Sequence, residues 1–170
     1  MPALRRGWPD TTGHPPRRGH APAAVTRLRH VARYGAAGAR GEARAGFPHV
    51  RRALTALEAA RSAGATEAQA RLDALLTVMS TLQDTELLHA GGPAGLRHVQ
   101  AGARTVLAAG GTATPAGAEA LTALDSDLLA RSWSPRGSAG LLAGALFLDA
   151  LPLSPGTATP RARPPLLRTR

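Results

Sequence analysis

Apolar residues recur at helical spacing along most of this chain, between short stretches rich in Gly and Pro. In the clearest case Thr66 and Gln69 have the spacing of a capping box, whose side chains satisfy free backbone groups at a helix start. The apolar positions that follow lie at i, i+3, i+4, i+7 and i+10, and they are Leu72, Leu75, Leu76, Met79 and Leu82. Ala and Leu favour helix, and β-branched residues are sparse. The pattern predicts an all-α fold, a bundle of about six helices with short Gly/Pro turns.

Gly and Pro also predict where the other helices begin and end. The helix from Thr66 is expected to run through Leu82 into Asp84 and to end at Gly91–Gly92, with the next starting at Pro93. We expect the remaining helices over residues 23–34, within 35–47, from Pro48 to about Ser62, from Thr114–Pro115, and from Ser134–Pro135 or Ser138.

The basic residues are concentrated at the two ends of the chain. The net charge is +10 and every basic residue is Arg, with 11 Arg against two acids in residues 1–52 and four Arg with no acid in residues 154–170. Both ends are rich in Pro or Gly and nearly free of aromatics, so we predict a disordered basic segment (1–20), a helical domain (21–153) and a Pro/Arg-rich tail (154–170). Nucleic-acid binding is therefore unlikely, because it would place Arg on a folded face.

No segment of the sequence predicts a membrane span or an export signal. Residues 1–18 have no apolar core of the kind a signal peptide needs. The longest apolar run, residues 139–151, contains one charge, Asp149, and is shorter than the roughly 20 residues of a membrane helix. We expect it to be a buried core helix. The absence of Cys excludes disulfides and thiolate metal sites and fits a cytoplasmic protein.

One stretch combines several groups that can do chemistry. Asp84, Glu86 and His89 precede Gly91–Gly92, which places two carboxylates and an imidazole within about two turns of the expected helix end. Acids there oppose the helix dipole, so a role in binding metal or phosphate is one interpretation, and solvated charges are the other. His89 fits either a substrate contact or a helix-end cap, and the two glycines fit a structural break.

Two further groups fit anion binding. Ser134, Arg136, Gly137 and Ser138 form the start of the last helix, where free N–H groups attract anions and the guanidinium can pair with phosphate. Simple capping by the two Ser residues is the alternative. Arg40 and Glu42 form either a binding pair or a local ion pair.

Four blocks of this sequence, taken together, resemble the triphosphoribosyl-dephospho-CoA synthase family. They are Tyr34–Pro48, Asp84–Gly92, Gly95–Gln100 and Ser134–Ala143, in the family's order and spacing. The resemblance covers residues 21–153 and is closer to the malonate decarboxylase branch than to the citrate lyase branch. It matches the C-terminal part of the family domain, because the Thr-Pro-Lys-Pro-Gly and Asn-Thr-His-Lys-Gly blocks of the N-terminal half have no counterpart here.

The resemblance implies an all-helical transferase with ATP and dephospho-CoA as substrates. A dephospho-CoA ribose hydroxyl attacks C1 of the ATP ribose, releases adenine and keeps the triphosphate, which yields the precursor of the prosthetic group of the malonate decarboxylase acyl carrier protein. Catalytic roles fall on Asp84, Glu86 and His89, with Asp84 as a Mg²⁺ ligand. The set expected to bind substrate or phosphate is Arg40, Glu42, Gly91, Gly92, Ser134, Arg136, Gly137 and Ser138.

Because half of the family pattern is missing, we expect a truncated enzyme with little or no activity alone. The alternative is a non-catalytic helical remnant that binds nucleotide weakly.

Overall fold

The structure is a computed structural model that describes residue 36 and residues 38–151, and within them every regular element is a helix. The helices are α1 (Gly38–Arg44), α2 (Pro48–Ser62), α3 (Glu67–Met79), α4 (Thr85–Ala108), α5 (Pro115–Ala130) and α6 (Arg136–Asp149). The all-α prediction is confirmed. The predictions for residues 1–20, 23–34 and 154–170 lie outside the described residues, and the domain bounds remain predictions.

Helix α3 is the centre of the bundle, because both of its sides are buried. One side packs with α4 and α5 in a cluster that includes Leu76 and Met79. The other packs with α2 and α6 through Ala70, Ala74 and Val78. The sequence pattern identified the first side only, since alanines give a weak periodic signal. Leu72, which the pattern placed inward, is 37% exposed, so that expectation was wrong.

Local capping chemistry starts the helices where the sequence suggested. The Thr66 hydroxyl accepts from the Gln69 backbone N–H while the Gln69 side chain accepts from the Thr66 N–H, so the capping box is formed. Thr114 caps α5 by accepting from the Gly117 N–H. These bonds satisfy backbone donors that a helix start leaves unpaired.

The expected end of the Thr66 helix was wrong. Helix α3 stops at Met79, and Asp84 is the N-cap of a new helix, α4, with Glu86 in its first turn. Both acids therefore lie at the positive end of a helix dipole, where a carboxylate is favourable. The predicted break at Gly92 is confirmed, since its backbone (φ 61°, ψ −168°) interrupts α4 just before Pro93.

The last helix is less buried than its apolar sequence predicted. Ser138 and Ala145 are its buried residues, whereas Phe147 is 65% and Leu148 47% exposed, so the expected core helix presents an apolar face at the surface of the described part. Among the described residues, no helix is both long enough and apolar enough to cross a membrane.

Helices α2 and α6 run in the same direction. Arg61 at the end of α2 donates to Asp149 at the end of α6, with N–O distances of 3.0 and 2.9 Å. Nearer the start of α2, a Cβ on Gly144 would lie 3.7 Å from Val50. The N-terminal ends of α2 and α6 therefore point to the same side of the bundle, which is the side that holds the candidate site.

Candidate functional site

Asp84 joins the N-termini of two helices that are distant in sequence. Its Oδ1 accepts from the Glu86 backbone N–H at 3.0 Å, within its own helix α4. Its Oδ2 accepts from the backbone N–H of Ser138 at 2.8 Å and from the Ser138 hydroxyl at 3.0 Å, 54 residues along the chain. Asp84 is 1% exposed and Ser138 fully buried. One carboxylate therefore caps α4 and α6 together.

Gly137 allows this close approach. A Cβ on Gly137 would lie 3.0 Å from the Asp84 carboxylate atoms, which is tighter than most such contacts. The structure thus brings the 84–92 and 134–143 blocks into direct contact, as a carboxylate beside a helix start. The capping alternative for Ser134 and Ser138 was wrong, because the N-cap of α6 is Pro135, which makes no side-chain bond, and Ser138 donates to Asp84 instead.

Side chains of α4 hold the linker that carries Asp84. Gln100 donates to the Leu82 carbonyl at 3.1 Å, and Arg104 donates to the Ser80 carbonyl at 2.8 Å. These two bonds satisfy carbonyls after the end of α3, a region that has no helical donors of its own. Gln100 belongs to the 95–100 block, so that block also contributes to the position of Asp84.

Gly91 has a different role from the helix end that the sequence suggested. A Cβ on Gly91 would lie 2.6 Å from Trp133 Cζ2, and one on Gly95 would lie 2.9 Å from Trp133 Cη2. The two glycines, one turn apart, therefore form a surface against which the indole packs. Trp133 also stacks with the Arg131 guanidinium at 5.0 Å from the ring centroid. The sequence signal was the group of glycines at 91, 92 and 95, which leaves the backbone around the break at Gly92 without side chains.

Glu42 pairs with a residue that the sequence analysis missed. Its Oε1 lies 2.5 Å from His49 Nδ1, and its Oε2 accepts from the His49 backbone N–H at 3.3 Å. Glu42 is 8% exposed and pairs with the partly buried His49, so a pair between α1 and α2 replaces the local ion pair with Arg40 that was one of the two interpretations. His49 Nε2 is buried and has no hydrogen-bond partner. The sequence showed only that a His directly follows Pro48, the last residue of the motif block that contains Glu42.

The remaining predicted residues lie closer to solvent around this core. Glu86, Gly91 and Gly92 are partly buried, whereas Arg40, His89, Ser134 and Arg136 are exposed. Ala36 is fully buried and belongs to the same core cluster as Leu87 and Leu88 of α4. Residues of the 34–48, 84–92 and 134–143 blocks therefore occupy the same side of the bundle.

Two open depressions lie beside this region rather than on it. One of about 590 Å³ lies between α2 and α3 and is lined by Pro48, Arg51, Arg52, Thr55, Ala56, Ala59 and Thr77. The other, of about 320 Å³, includes Gln83 beside the Asp84 cap and continues along Thr81, Leu88, Pro93, Leu96, Arg97 and Gln100. Within residues 38–151 no three His, Asp or Glu side chains are grouped so that they could hold a metal ion.

A family model and several curated relatives that are similar to this chain carry the same enzyme description. The family model described as ATP:dephospho-CoA triphosphoribosyl transferase matches residues 15–157. A probable 2-(5''-triphosphoribosyl)-3'-dephosphocoenzyme-A synthase of Pseudomonas paraeruginosa (strain DSM 24068 / PA7) is 56% identical over 125 residues, which cover 73% of this chain and 43% of the relative. The Klebsiella pneumoniae protein named 2-(5''-triphosphoribosyl)-3'-dephosphocoenzyme-A synthase is 50% identical over 133 residues, 77% of this chain and 48% of that protein.

A third relative, from Stutzerimonas stutzeri (strain A1501) and also named a probable synthase, is 51% identical over 135 residues, 79% of this chain and 44% of its own length. The chain thus spans less than half the length of these curated relatives. No solved structure matches the chain significantly.

Proposed function

Because the chain belongs to the ATP:dephospho-CoA triphosphoribosyl transferase family, we propose that it takes part in transfer of the 5-triphosphoribosyl group of ATP to dephospho-CoA, with release of adenine. The observation that carries the proposal is the bridge from Asp84 to Ser138, which unites two motif blocks 54 residues apart. The bridge brings the exposed Ser134 and Arg136 at the start of α6 to the same junction as Glu86 of α4.

The buried and exposed residues of the site have different proposed roles. Asp84, Gly137 and Ser138 are buried or in close contact, so they position the two helix starts. Ser134 and Arg136 are exposed at the start of α6, and the guanidinium there suits a phosphate oxygen. Gly91 lies against the indole of Trp133, and Gly92 forms the break in α4.

Further proposed contacts come from residues around this junction. Arg40 is exposed on α1 and would add a second guanidinium for the triphosphate. Glu86 and His89 lie on α4, just beyond the Asp84 cap, and remain candidates for contact with the reacting ribose. Carboxylates in such a position stabilise the positive charge that develops at C1 during glycosyl transfer.

Mg²⁺ enters the proposal as the counterion of the ATP triphosphate. Mg²⁺ commonly takes one or two carboxylates together with phosphate oxygens. Asp84 does not fit this role as arranged, because it already accepts three hydrogen bonds and is 1% exposed. It would reach a metal ion only if the junction opened, whereas Glu86 is more accessible. We therefore assign no step to the metal.

The biological setting is proposed on resemblance alone. Closer similarity to the malonate decarboxylase branch suggests that the product serves the acyl carrier protein of that enzyme, in the cytoplasm. The alternative function is a helical remnant that binds nucleotide weakly without catalysis. The specific observation in its favour is that Asp84 is 1% exposed and already accepts three hydrogen bonds, which hold the starts of α4 and α6 together.

The test is to incubate the purified chain with ATP, Mg²⁺ and dephospho-CoA and to measure adenine by chromatography and ATP binding by calorimetry. Correct orientation of two substrates can account for about 7–11 kcal/mol of a barrier, so we expect adenine release to require ATP and dephospho-CoA together. Arg136→Gln should weaken ATP binding, whereas Arg71→Gln on the exposed side of α3 should not. ATP binding without adenine release would favour the remnant, and no binding at all would refute both.

A further inference from the structure

We propose that His49 is a further catalytic residue of the triphosphoribosyl transfer, which accepts through Nε2 the proton of the attacking ribose hydroxyl. Glu42 is then the positioning residue that holds the imidazole. The inference rests on the proposed function and extends it to a residue outside the motif positions considered above. It is carried by the buried, unpaired Nε2 atom at the start of α2.

Two contacts from one carboxylate fix the orientation of the ring. Glu42 Oε1 lies 2.5 Å from Nδ1, and Oε2 accepts from the backbone N–H of the same residue, His49. A carboxylate can only accept, so Nδ1 carries the hydrogen in this contact. In the neutral ring the lone pair is then on Nε2, which makes that atom the proton acceptor.

A purely structural role for His49 explains the contact at Nδ1 but not the unpaired Nε2. The bond between Glu42 and Nδ1 would be sufficient to tie α1 to α2. Buried polar atoms are nearly always paired, so an unpaired Nε2 requires its own explanation. Nε2 is buried and makes no hydrogen bond within the protein, so it is available as an acceptor for a donor on a ligand.

The location is compatible with the reaction. His49 lies at the N-terminal end of α2, on the side to which the start of α6 also points. Ala36, which lies shortly before the helix that carries Glu42, belongs to the same buried cluster as Leu87 of α4. Because Nε2 is shielded in this structure, the surrounding side chains must move when the acceptor nucleotide binds, as side chains at binding surfaces commonly do.

The step balances without another reactant. The hydroxyl oxygen of dephospho-CoA forms a bond to C1 of the ATP ribose, and the bond from C1 to N9 of adenine breaks with its electron pair on adenine. The hydroxyl proton passes to His49 Nε2, and the imidazolium is stabilised by the Glu42 carboxylate. Transfer of that proton to the departing adenine gives neutral adenine and restores neutral His49.

The first experiment observes the ring nitrogens of His49 by ¹⁵N NMR in the wild-type chain, with His98 as an internal reference. His98 is exposed and is hydrogen-bonded to Asp127 through Nε2. Its Nε2 therefore carries the hydrogen, and its signals serve as a reference for the tautomer opposite to that expected for His49. We expect the Nδ1–H tautomer of the neutral His49 ring, with an unprotonated Nε2 signal, in the free chain. On titration with dephospho-CoA this signal should shift as the lone pair accepts the hydroxyl.

The second experiment compares single-turnover adenine release by the wild type and by His49→Asn. Asn retains an amide donor for Glu42 but has no counterpart of Nε2. Loss of a general base should lower the rate by roughly 10²–10⁴-fold while the Kd for dephospho-CoA changes less than about threefold, since only one ligand contact is lost. Added imidazole should partly restore the rate of His49→Ala.

The outcomes separate this inference from the proposed function. A wild-type chain that binds neither substrate overturns the proposed function and this inference with it. Three results would overturn the role of His49 alone while the wild type still binds substrate. They are an Nε2–H tautomer in the free chain, no shift of the Nε2 signal on binding, and an unchanged rate of adenine release in His49→Asn. If the wild type binds but releases no adenine, the NMR titration decides: a shift of Nε2 supports the inference and its absence overturns it.

Discussion

Asp84 and Glu42 are both buried carboxylates in motif blocks, but their surroundings differ in one respect. Asp84 accepts from two backbone N–H groups and a hydroxyl, and each of these donors is satisfied by the contact. Glu42 accepts from a single residue, His49, and the contact leaves the far nitrogen of that residue unpaired. The first site is closed, and the second has one hydrogen-bonding position open.

The two contacts also differ in the number of residues that separate the partners along the chain. The bond between Asp84 and Ser138 spans 54 residues, and that between Glu42 and His49 spans seven. A bond that joins distant segments stabilises tertiary structure, because it forms only when the chain is folded. A local pair contributes less to the fold. We therefore expect substitutions at the first site to affect stability most, and substitutions at the second to affect chemistry most.

The largest stability effect is expected for Asp84→Ala. It removes the caps of α4 and α6 and leaves the Ser138 hydroxyl buried without a partner, which should cost roughly 2–5 kcal/mol in total. Urea unfolding followed by circular dichroism measures the loss. Asp125→Ala, an exposed acid on α5, is the matched control and should change stability by less than about 0.5 kcal/mol. Similar stabilities for the two variants would refute the structural role of Asp84.

The next largest effect on stability is expected when a glycine is replaced by alanine, and it should differ between Gly91 and Gly140. Gly91→Ala places a Cβ 2.6 Å from Trp133 Cζ2, so the indole must move, and overpacking of this kind costs about 1–3 kcal/mol. Gly140→Ala in α6 meets nothing within 4 Å and should instead stabilise by up to about 1 kcal/mol, because Ala favours helix over Gly. Thermal unfolding and the Trp133 fluorescence, measured in a Trp8→Phe background, test the pair. Destabilisation by both substitutions to the same extent would contradict the packing role.

At the open site the expected stability effect is smaller. His49→Asn keeps a donor for Glu42 and removes an unpaired buried nitrogen, so the free energy of unfolding should change by less than about 1 kcal/mol. Urea unfolding checks this value against that of Asp84→Ala. A loss as large as the one at Asp84 would mean that His49 also serves mainly to hold the fold, and the contrast between the two sites would disappear.

The smallest effect concerns the exposed ion pairs on the other side of the bundle. Hydrogen bonds from Arg61 first, and then from Arg71, lower the pKa of Glu67 from 4.5 to about 2. A carboxyl group with a lowered pKa in the fold stabilises above its ordinary value and loses that contribution as the pH falls through its folded value. The stability difference between the parent and Glu67→Gln should therefore be constant above pH 4.5 and vanish below about pH 2. Acid titration followed by circular dichroism measures it, and a difference that persists in stronger acid would contradict the assignment.

The sequence predicted helix starts better than helix ends. Thr66, Thr114 and Pro48 mark starts through side-chain chemistry that acts within a few residues, and all three are confirmed. The end of α3 was wrong because Leu82 continues the apolar period. That residue is buried, but it lies in the linker, where the side chain of Gln100 satisfies its carbonyl. No local pattern reveals a bond supplied from 18 residues away.

The site could be predicted only in outline. The sequence indicated a carboxylate beside a Ser/Gly-rich helix start, and that contact is present between Asp84 and Ser138. It did not indicate that the carboxylate would itself occupy the anion-binding end of α6, nor that Glu42 would turn to His49. Both outcomes depend on which segments meet in three dimensions, and residue types at a given spacing do not determine that.

The most direct test of the account is a double-mutant cycle on Asp84→Ala and Ser138→Ala, with urea unfolding of the parent, both single variants and the double variant. The two side chains are in direct contact, so their effects should not add, and a coupling free energy of about 1–3 kcal/mol is expected. Additive effects, with a coupling near zero, would show that the Asp84 carboxylate does not contact the Ser138 hydroxyl and would contradict the central claim.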